Sequence, residues 1–312
     1  MAEKILIMGE SGTGKSTSIR NCDPSITAIV NPVGKPLPFR GARNFATLNG
    51  ITDANKICDF MRDQVKSGKK IIIVDDFQYI LAIPFMNRIK ETGWDKYNDF
   101  GSNYFNIIDV CNELPEDVCV YYMTHCETLD NGITTVKLIG KLLREKITVE
   151  GLFTIVLKTG VSEGKYYFFT QNSGKDTVKS PLGMFDSFSI DNDLAYVDTK
   201  IRNYYEFDGA ASDAEIAKLD EEKSGEVEKP EPRRRRGTKT HDQVVAENDE
   251  KIANHLNAVD AEIDKVAEGS EEVPFDEINL PEAPQLDPVP RRTIDEATEE
   301  KPKQRRTRKS RS

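Results

Sequence analysis

A short apolar run, Ile5-Leu6-Ile7-Met8, opens directly into Gly9-Glu10-Ser11-Gly12-Thr13-Gly14-Lys15-Ser16-Thr17. No other feature narrows the possible folds of this chain as much. Such a run reads as a strand buried on both faces, as in a parallel sheet. The nine residues after it match G-x-x-x-x-G-K-[ST] at Gly9, Gly14, Lys15 and Ser16, with Gly12 as an extra glycine. Glycines let successive backbone N–H groups turn inward around a phosphate, and the next helix presents its positive N-terminus. Residues 9–17 are therefore expected to cradle ATP. Lys15 would bridge the β- and γ-phosphates as a catalytic cation, the Ser16 hydroxyl would coordinate Mg2+, and Thr17 would meet the α-phosphate.

A phosphate loop of this kind needs a second strand that ends in an acid for the metal. Lys69-Lys70-Ile71-Ile72-Ile73-Val74-Asp75-Asp76 supplies it, with four β-branched residues before two aspartates. Asp75 is the expected Mg2+ ligand. Asp76 is placed to polarise the attacking water, and it also suits the cap of a helix starting at Phe77. Glu10, inside the phosphate loop, is the rival for the water. A third strand, Val118 to Thr124, ends at His125-Cys126-Glu127. In P-loop ATPases of the RecA and AAA type, the strand beside the Mg2+ strand ends in a polar residue that senses the γ-phosphate. His125 falls there, with Thr124 and Glu127 as substitutes and a purely structural histidine as the plain reading.

The spacing predicts alternating strands and helices, hence an α/β fold with a mostly parallel sheet and flanking helices. Strands are expected at 4–8, 26–31, 45–48, 70–75, 118–124 and 153–158, with a hairpin near 165–171. Helices are expected at 15–21, 53–67, 77–91, 102–114, 139–149 and 193–205. All three site segments then lie at carboxyl ends of strands, where parallel sheets bind ligands. Two loops exceed what connection requires. One is 91–101, with Trp94, Lys96 and Tyr97; the other is 129–140, with Asn131-Gly132 and Lys137. Aromatic and basic loop residues suit stacking and phosphate contact with a single strand, or plain packing against the core. Lys141, Arg144 and Lys146 read either as cations for a neighbouring subunit's γ-phosphate in a homo-oligomer or as a solvated face.

Composition divides the chain. Of 25 aromatic residues only Phe275 lies beyond position 208, whereas 8 of the 15 prolines do. That stretch also carries 26 acidic and 19 basic residues, net −7, which leaves −3 of the total −10 for the first part. Too little apolar surface is available there to offset the entropy of ordering it. The expectation is a compact domain over 1–208 and a largely disordered tail over 209–312, with a possible short helix at 242–267. That helix follows from Val245, Ile252, Leu256, Val259, Ile263 and Val266, a heptad-like seam suited to self-association, a partner, or transient helicity. Arg233 to Arg236 and the basic end from Lys301 suit phosphate contact. Glu271 to Ile278, with Phe275 as sole aromatic, resembles the acidic interaction tips of single-strand-binding proteins. No apolar run of transmembrane length is present and no signal peptide opens the chain. Five scattered cysteines, Cys22, Cys58, Cys111, Cys119 and Cys126, form no metal-ligand spacing. A cytoplasmic protein without a membrane partner is expected.

Four segments together resemble a known group: Lys4 to Pro24, Ile71 to Tyr79, His125-Cys126-Glu127, and Gly140 to Phe153. They look like phage-encoded, core-only RecA-like P-loop ATPases of the single-strand annealing type. The last segment is the more family-specific, and the resemblance covers roughly 1–207. It implies a RecA-like fold, ATP hydrolysis, single-stranded DNA as partner, action in phage recombination or replication, and the host cytoplasm as location. By analogy with RecA, 129–140 would contact DNA. The long tail has no counterpart among the compact relatives. A second expectation from another class is a nucleotide-switched adaptor or loader that controls a single-strand-binding or other replication protein through the tail. A small-molecule kinase is disfavoured because no arginine-rich lid lies between strands.

Overall fold

The computed structural model describes residues 1–93, 95–139, 147–229, 241–268, 282, 284 and 285. Two compact units divide it, Met1–Pro230 and Glu231–Ser312. The first is built on one sheet in the order β3-β2-β4-β5-β1-β7-β8-β9, with β6 paired to β5. Its strands are β1 (Glu3–Gly9), β2 (Thr27–Asn31), β3 (Ala46–Asn49), β4 (Ile71–Asp75), β5 (Cys119–Thr128), β6 (Thr134–Val136), β7 (Ile155–Ser162), β8 (Lys165–Phe169) and β9 (Ser189–Asp191). Pairing is parallel from β3 through β7 along that order, and antiparallel at β7-β8-β9 and β5-β6.

Period-two alternation sends each strand's residues to two cores. Leu6, Met8, Val30, Ile72, Val74, Val120 and Tyr122 face one side. There they meet α1 (Ala54–Lys66), α2 (Tyr79–Asn87) and α3 (Asp95–Asp109) through Ile57, Met61, Ile80, Leu81, Tyr104 and Ile107. Ile5, Ile7, Ile29, Ile73, Tyr121, Met123 and Leu157 face the other, against Ile19 and α4 (Leu194–Tyr204). Helix starts are set locally: the Asp53 carboxylate accepts from Lys56 N at 3.0 Å, and the Asp193 carboxylate from Ala195 N at 3.1 Å.

Several elements differ from the sequence expectation. The segment after the phosphate loop is a 3-10 helix over Ser16–Asn21, since six residues ahead of Asp23-Pro24 leave little room for an α ladder. α2 ends at Asn87, and α3 starts at Asp95 rather than 102. Lys96 and Tyr97 are therefore helical. The Lys96 ammonium is buried and donates to the carbonyls of Arg88 and Glu91, and Tyr97 packs with Phe85 and Phe100. Those contacts favour packing for both residues; Trp94 lies outside the described residues. The long loop after β5 shortens because β6 folds back on β5 about Asn131-Gly132, with Gly132 at φ 80° and Leu129 N donating to Ile133 O at 2.9 Å. Of the helix expected over 139–149, residues 140–146 lie outside the described residues, and Val149–Leu152 is a 3-10 turn.

The first unit continues past 208. α5 (Asp213–Lys223) starts in a Ser212–Glu215 capping box and buries Ile216. Asp220 accepts from the Tyr196 hydroxyl at 2.6 Å and pairs with Lys200, and Gly225 N donates to Ser189 O. The Asp220 carboxylate thus ties this segment to α4 through two polar partners. In the second unit, α6 (His241–Glu268) spans the heptad-like seam and leaves Ile252 and Leu256 exposed. Phe275 and the arginine blocks at 233–236 and 305–311 lie outside the described residues. No helix among the described residues is long and apolar enough to cross a membrane.

Candidate nucleotide site

Three strands deliver the site to one edge of the sheet. β5 lies between β1 and β4 and pairs with both, so Gly9 is opposite His125, Met8 opposite Thr124, and Asp75 opposite Met123. This brings together Gly9 to Thr17, Asp75-Asp76 and His125, segments spread over more than a hundred residues of chain.

The phosphate loop is shaped by its glycines. Gly12 and Gly14 adopt φ of 81° and 97°, and a Cβ on Gly9 would fall 1.9 Å from Thr159 Oγ1. Thr13 Oγ1 donates to Glu10 O at 2.8 Å and lies 2.6 Å from Thr159 Oγ1, which ties the loop to β7. Lys15 is 6% exposed, and its ammonium donates to Gly9 O and Glu10 O, each at 2.8 Å. Burial lowers its pKa, while Asp76 and Asp75 act in the opposite direction. The Glu10 carboxylate side chain is exposed, and this residue's backbone carbonyl does the structural work.

Asp75 and Asp76 are both buried and are joined by a cis peptide bond. Neither Asp75 carboxylate oxygen has a hydrogen-bond partner of good geometry, although the Ser16 hydroxyl is close enough to favour the ionised form. Burial first, then the Asp76 charge, push the Asp75 carboxyl up to about 6. A carboxylate so placed is short of a cation, and an adjacent hydroxyl completes a pair of hard oxygen donors. Ser16 and Asp75 therefore fit Mg2+ as the pair of oxygen donors that would hold it. Among the described residues no group of three or more His, Cys, Asp or Glu forms a separate metal cage.

Asp76 is differently placed. Burial raises its pKa, but the hydrogen bond from His125 and the charges of Lys15, His125 and Lys35 outweigh it and hold the carboxyl below its usual range. Its Oδ2 lies 3.4 Å from His125 Nε2 and 3.4 Å from Lys35 Nζ, and its Oδ1 is unpartnered. His125 also meets Tyr79 edge-on at 6.2 Å between ring centroids. The Thr124 hydroxyl is fully buried with no partner beside this cluster.

A cleft of about 270 Å³ opens over these groups, walled by Ser11, Gly12, Gly14 to Thr17, Asp76 and His125, together with Lys35, Pro38 and Tyr166. Glu10 is absent from that wall. The last three are residues the sequence did not single out. Asn192 is a fourth: it is 3% exposed, both amide atoms lack partners, and it stands 3.0 Å from where a Cβ on Gly14 would be. A cation just past the end of a parallel strand, as in Asn31-Pro32-Val33-Gly34-Lys35, was the one signal available for Lys35. Tyr166 and Asn192 carry none. Lys141, Arg144 and Lys146 lie outside the described residues.

No protein-family model matches the chain, and no curated protein is similar to it. Among solved structures, it is similar to a KaiC-like protein from the hyperthermophilic archaeon Pyrococcus horikoshii, at 14% identity. The match covers 54% of this chain and 77% of the other, with a TM-score of 0.36. The fold is a mostly parallel sheet with flanking helices, in which one strand separates the phosphate-loop strand from the Asp75 strand.

Proposed function

We propose that this chain is a Mg-ATP-dependent, RecA-like ATPase that acts on single-stranded DNA in phage recombination or replication, promoting annealing or strand exchange. The observation that carries the ATPase reading is the convergence of buried Lys15, Ser16 and the Asp76–His125 pair on one glycine-walled cleft, with the unpartnered carboxylate of Asp75 buried beside Ser16. The DNA reading rests on the sequence resemblance, above all the Gly140 to Phe153 segment.

In this reading Lys15 exchanges its two carbonyl partners for β- and γ-phosphate oxygens, and backbone N–H groups of residues 11–16 hold the same phosphates. Mg2+, when bound at Ser16 and Asp75, supplies neutralisation of the charge that develops on those oxygens. Asp76 stays ionised and offers Oδ1 to the attacking water. Its low pKa suits orienting that water more than removing its proton. His125 holds Oδ2 and so fixes the direction of Oδ1.

Phosphate release measured with and without an oligonucleotide tests the reading. Turnover that needs Mg2+ and rises with single-stranded DNA is the expected result. Turnover indifferent to DNA, with no DNA bound, would leave an ATPase and remove the recombination role. The exposed Ile252 and Leu256 on α6 favour a second reading, a nucleotide-switched adaptor or loader that holds a replication protein through its tail. It predicts slow, DNA-independent turnover and nucleotide-dependent capture of that partner, lost on Ile252→Ser with Leu256→Ser.

A further inference from the structure

Beside the nucleotide cleft lies a larger one, of about 830 Å³, that no step above uses. It opens at the carboxyl ends of β2 and β3 and is walled by Asn31, Lys35, Phe39, Arg43, Phe45 and Asn49, among others. Its volume is in the upper part of the ~300–1,000 Å³ typical of ligand sites.

The cleft is preformed. Pro32, Pro36 and Pro38 restrict the loop that makes its wall. Asn31 clamps the loop at its base: its side-chain amide donates to Lys35 O at 2.7 Å, its side-chain carbonyl accepts from Gly34 N at 2.9 Å, and its backbone carbonyl accepts from Gly50 N at 2.9 Å. Little ordering entropy remains to be lost on binding.

Its chemistry is one-sided. Its walls carry Lys35 and Arg43 and no acidic residue, and the exposed Arg40 follows Phe39 in the same loop, in a protein of net charge −10. Phe39 is half-buried and meets the buried Phe45 edge-on, ring centroids 6.0 Å apart at 83°. Cations and an aromatic ring in the wall of one cleft suit a phosphate backbone with a base stacked beside it. An acidic peptide would satisfy the cations and leave the ring face unused. Lys35 walls both clefts and reaches Asp76 Oδ2 at 3.4 Å, so a phosphate in the larger cleft competes with Asp76 for the same ammonium.

We propose that this cleft is a docking site for single-stranded DNA, with Lys35 linking its occupancy to the ATP site. The proposal rests on the DNA reading above and adds where the strand sits. The test uses the full chain and an oligo(dT) carrying 5-iododeoxyuridine, with photocrosslinks mapped by peptide, alongside affinity titrations over a range of salt. Crosslinks are expected at Phe39. Arg40→Glu with Arg43→Glu should weaken binding at least ~10-fold and flatten the salt dependence by about two counterions. Phe39→Ala should weaken it several-fold, and in both variants the ratio of turnover with DNA to turnover without it should fall toward one. Arg40→Gln with Arg43→Gln gives the same direction with less perturbation, and unchanged thermal melting shows that the fold is kept. DNA binding that survives these substitutions, with crosslinks mapping to 129–133, overturns the cleft assignment and leaves the ATPase acting on DNA. Labelling of Phe39 by 8-azido-ATP also overturns it, because the cleft then holds the nucleoside. No DNA binding by the unmodified chain removes both this site and the DNA reading.

Discussion

His125 Nε2 and Lys35 Nζ each stand 3.4 Å from one oxygen, Oδ2 of Asp76. Two cationic or hydrogen-bonding groups, one from β5 and one from the loop after β2, thus converge on a carboxylate that burial alone would leave protonated more readily. His125→Ala removes the hydrogen bond that most offsets that burial, so the Asp76 pKa rises. The acid limb of the turnover–pH profile should then move to higher pH, and turnover at its plateau should fall ~10–100-fold. His125→Gln, which keeps a donor, should move the limb less. An unmoved acid limb in the alanine variant would show that Asp76 does not govern turnover.

Asp75 makes the opposite case. Its carboxyl titrates at about 6 in the folded chain against 3.8 for the ordinary value, so the folded state binds the proton more tightly than the unfolded state. The stability this provides is fully present below pH 3.8 and is lost as pH rises through 6. A shift of this size corresponds to a few kcal/mol at most at neutral pH, at about 1.4 kcal/mol per unit. Asp75→Asn should therefore melt higher than the parent at pH 8 without nucleotide or metal, and the gap should close as pH falls through 6 toward 4. The same variant should lose Mg2+-dependent turnover. If Asp75→Asn instead melts below the parent at pH 8, the carboxylate is not the unpartnered group described above.

How much of this site the sequence disclosed follows from how local each signal is. The phosphate loop and the acid pair after Ile71 to Val74 are contiguous motifs, and His125 is legible because strand ends share one edge of a parallel sheet. Lys35 and Tyr166 wall the cleft and Asn192 stands buried against Gly14, from three separate parts of the chain, and their own neighbourhoods mark them weakly or not at all. Arg20 shows the scale, since its guanidinium donates to Asn192 O at 2.6 Å across 172 residues of chain. In the family-like stretch, Glu150 proves to be a buried clamp, accepting from Val136 N at 3.1 Å and from the Thr135 and Thr177 hydroxyls. Its role belongs to β6, an element that hydrophobic periodicity over three residues could not reveal.

Lys15→Ala should abolish nucleotide-dependent turnover. The ammonium is the one cation buried within the phosphate loop, and a water molecule carries no charge with which to replace it. A loss of at least ~100-fold is expected for removing a preorganised charge aimed at a developing oxyanion. Phosphate release at saturating ATP measures it, and turnover within a few-fold of the parent would contradict the placement of the γ-phosphate at Lys15.

All five cysteines are buried and free. Burial pushes the Cys58 thiol up to about 11 and the Cys111 thiol up to about 12, and the thiolate is the reactive form. Ellman's reagent at pH 8 should therefore label the folded chain slowly, at the rate of unfolding or local opening, and label all five at once in denaturant. Rapid stoichiometric labelling of one thiol in native buffer would identify a thiol that the fold leaves accessible.

Where the first unit ends has a measurable consequence. Cutting after residue 208, the boundary that composition indicates, removes α5 and with it the partners of two groups on α4. Lys200, with 8% of its side chain exposed, would lose Asp220, and the Tyr196 hydroxyl would lose the same carboxylate. Ile216 would leave its buried position, and Ser189 would lose its backbone bond from Gly225. A buried ammonium without its counter-charge costs about 3–5 kcal/mol when one partner of such a pair is removed, although relaxation of Lys200 toward water lowers that figure. Residues 1–229 should therefore melt close to the first transition of the full chain, and residues 1–208 several degrees lower. Lys200→Met in the shorter chain should restore part of the difference, because it removes the stranded charge and keeps the apolar stem. Equal melting of the two truncations would mean that α5 adds no stability to the unit through its contacts with α4.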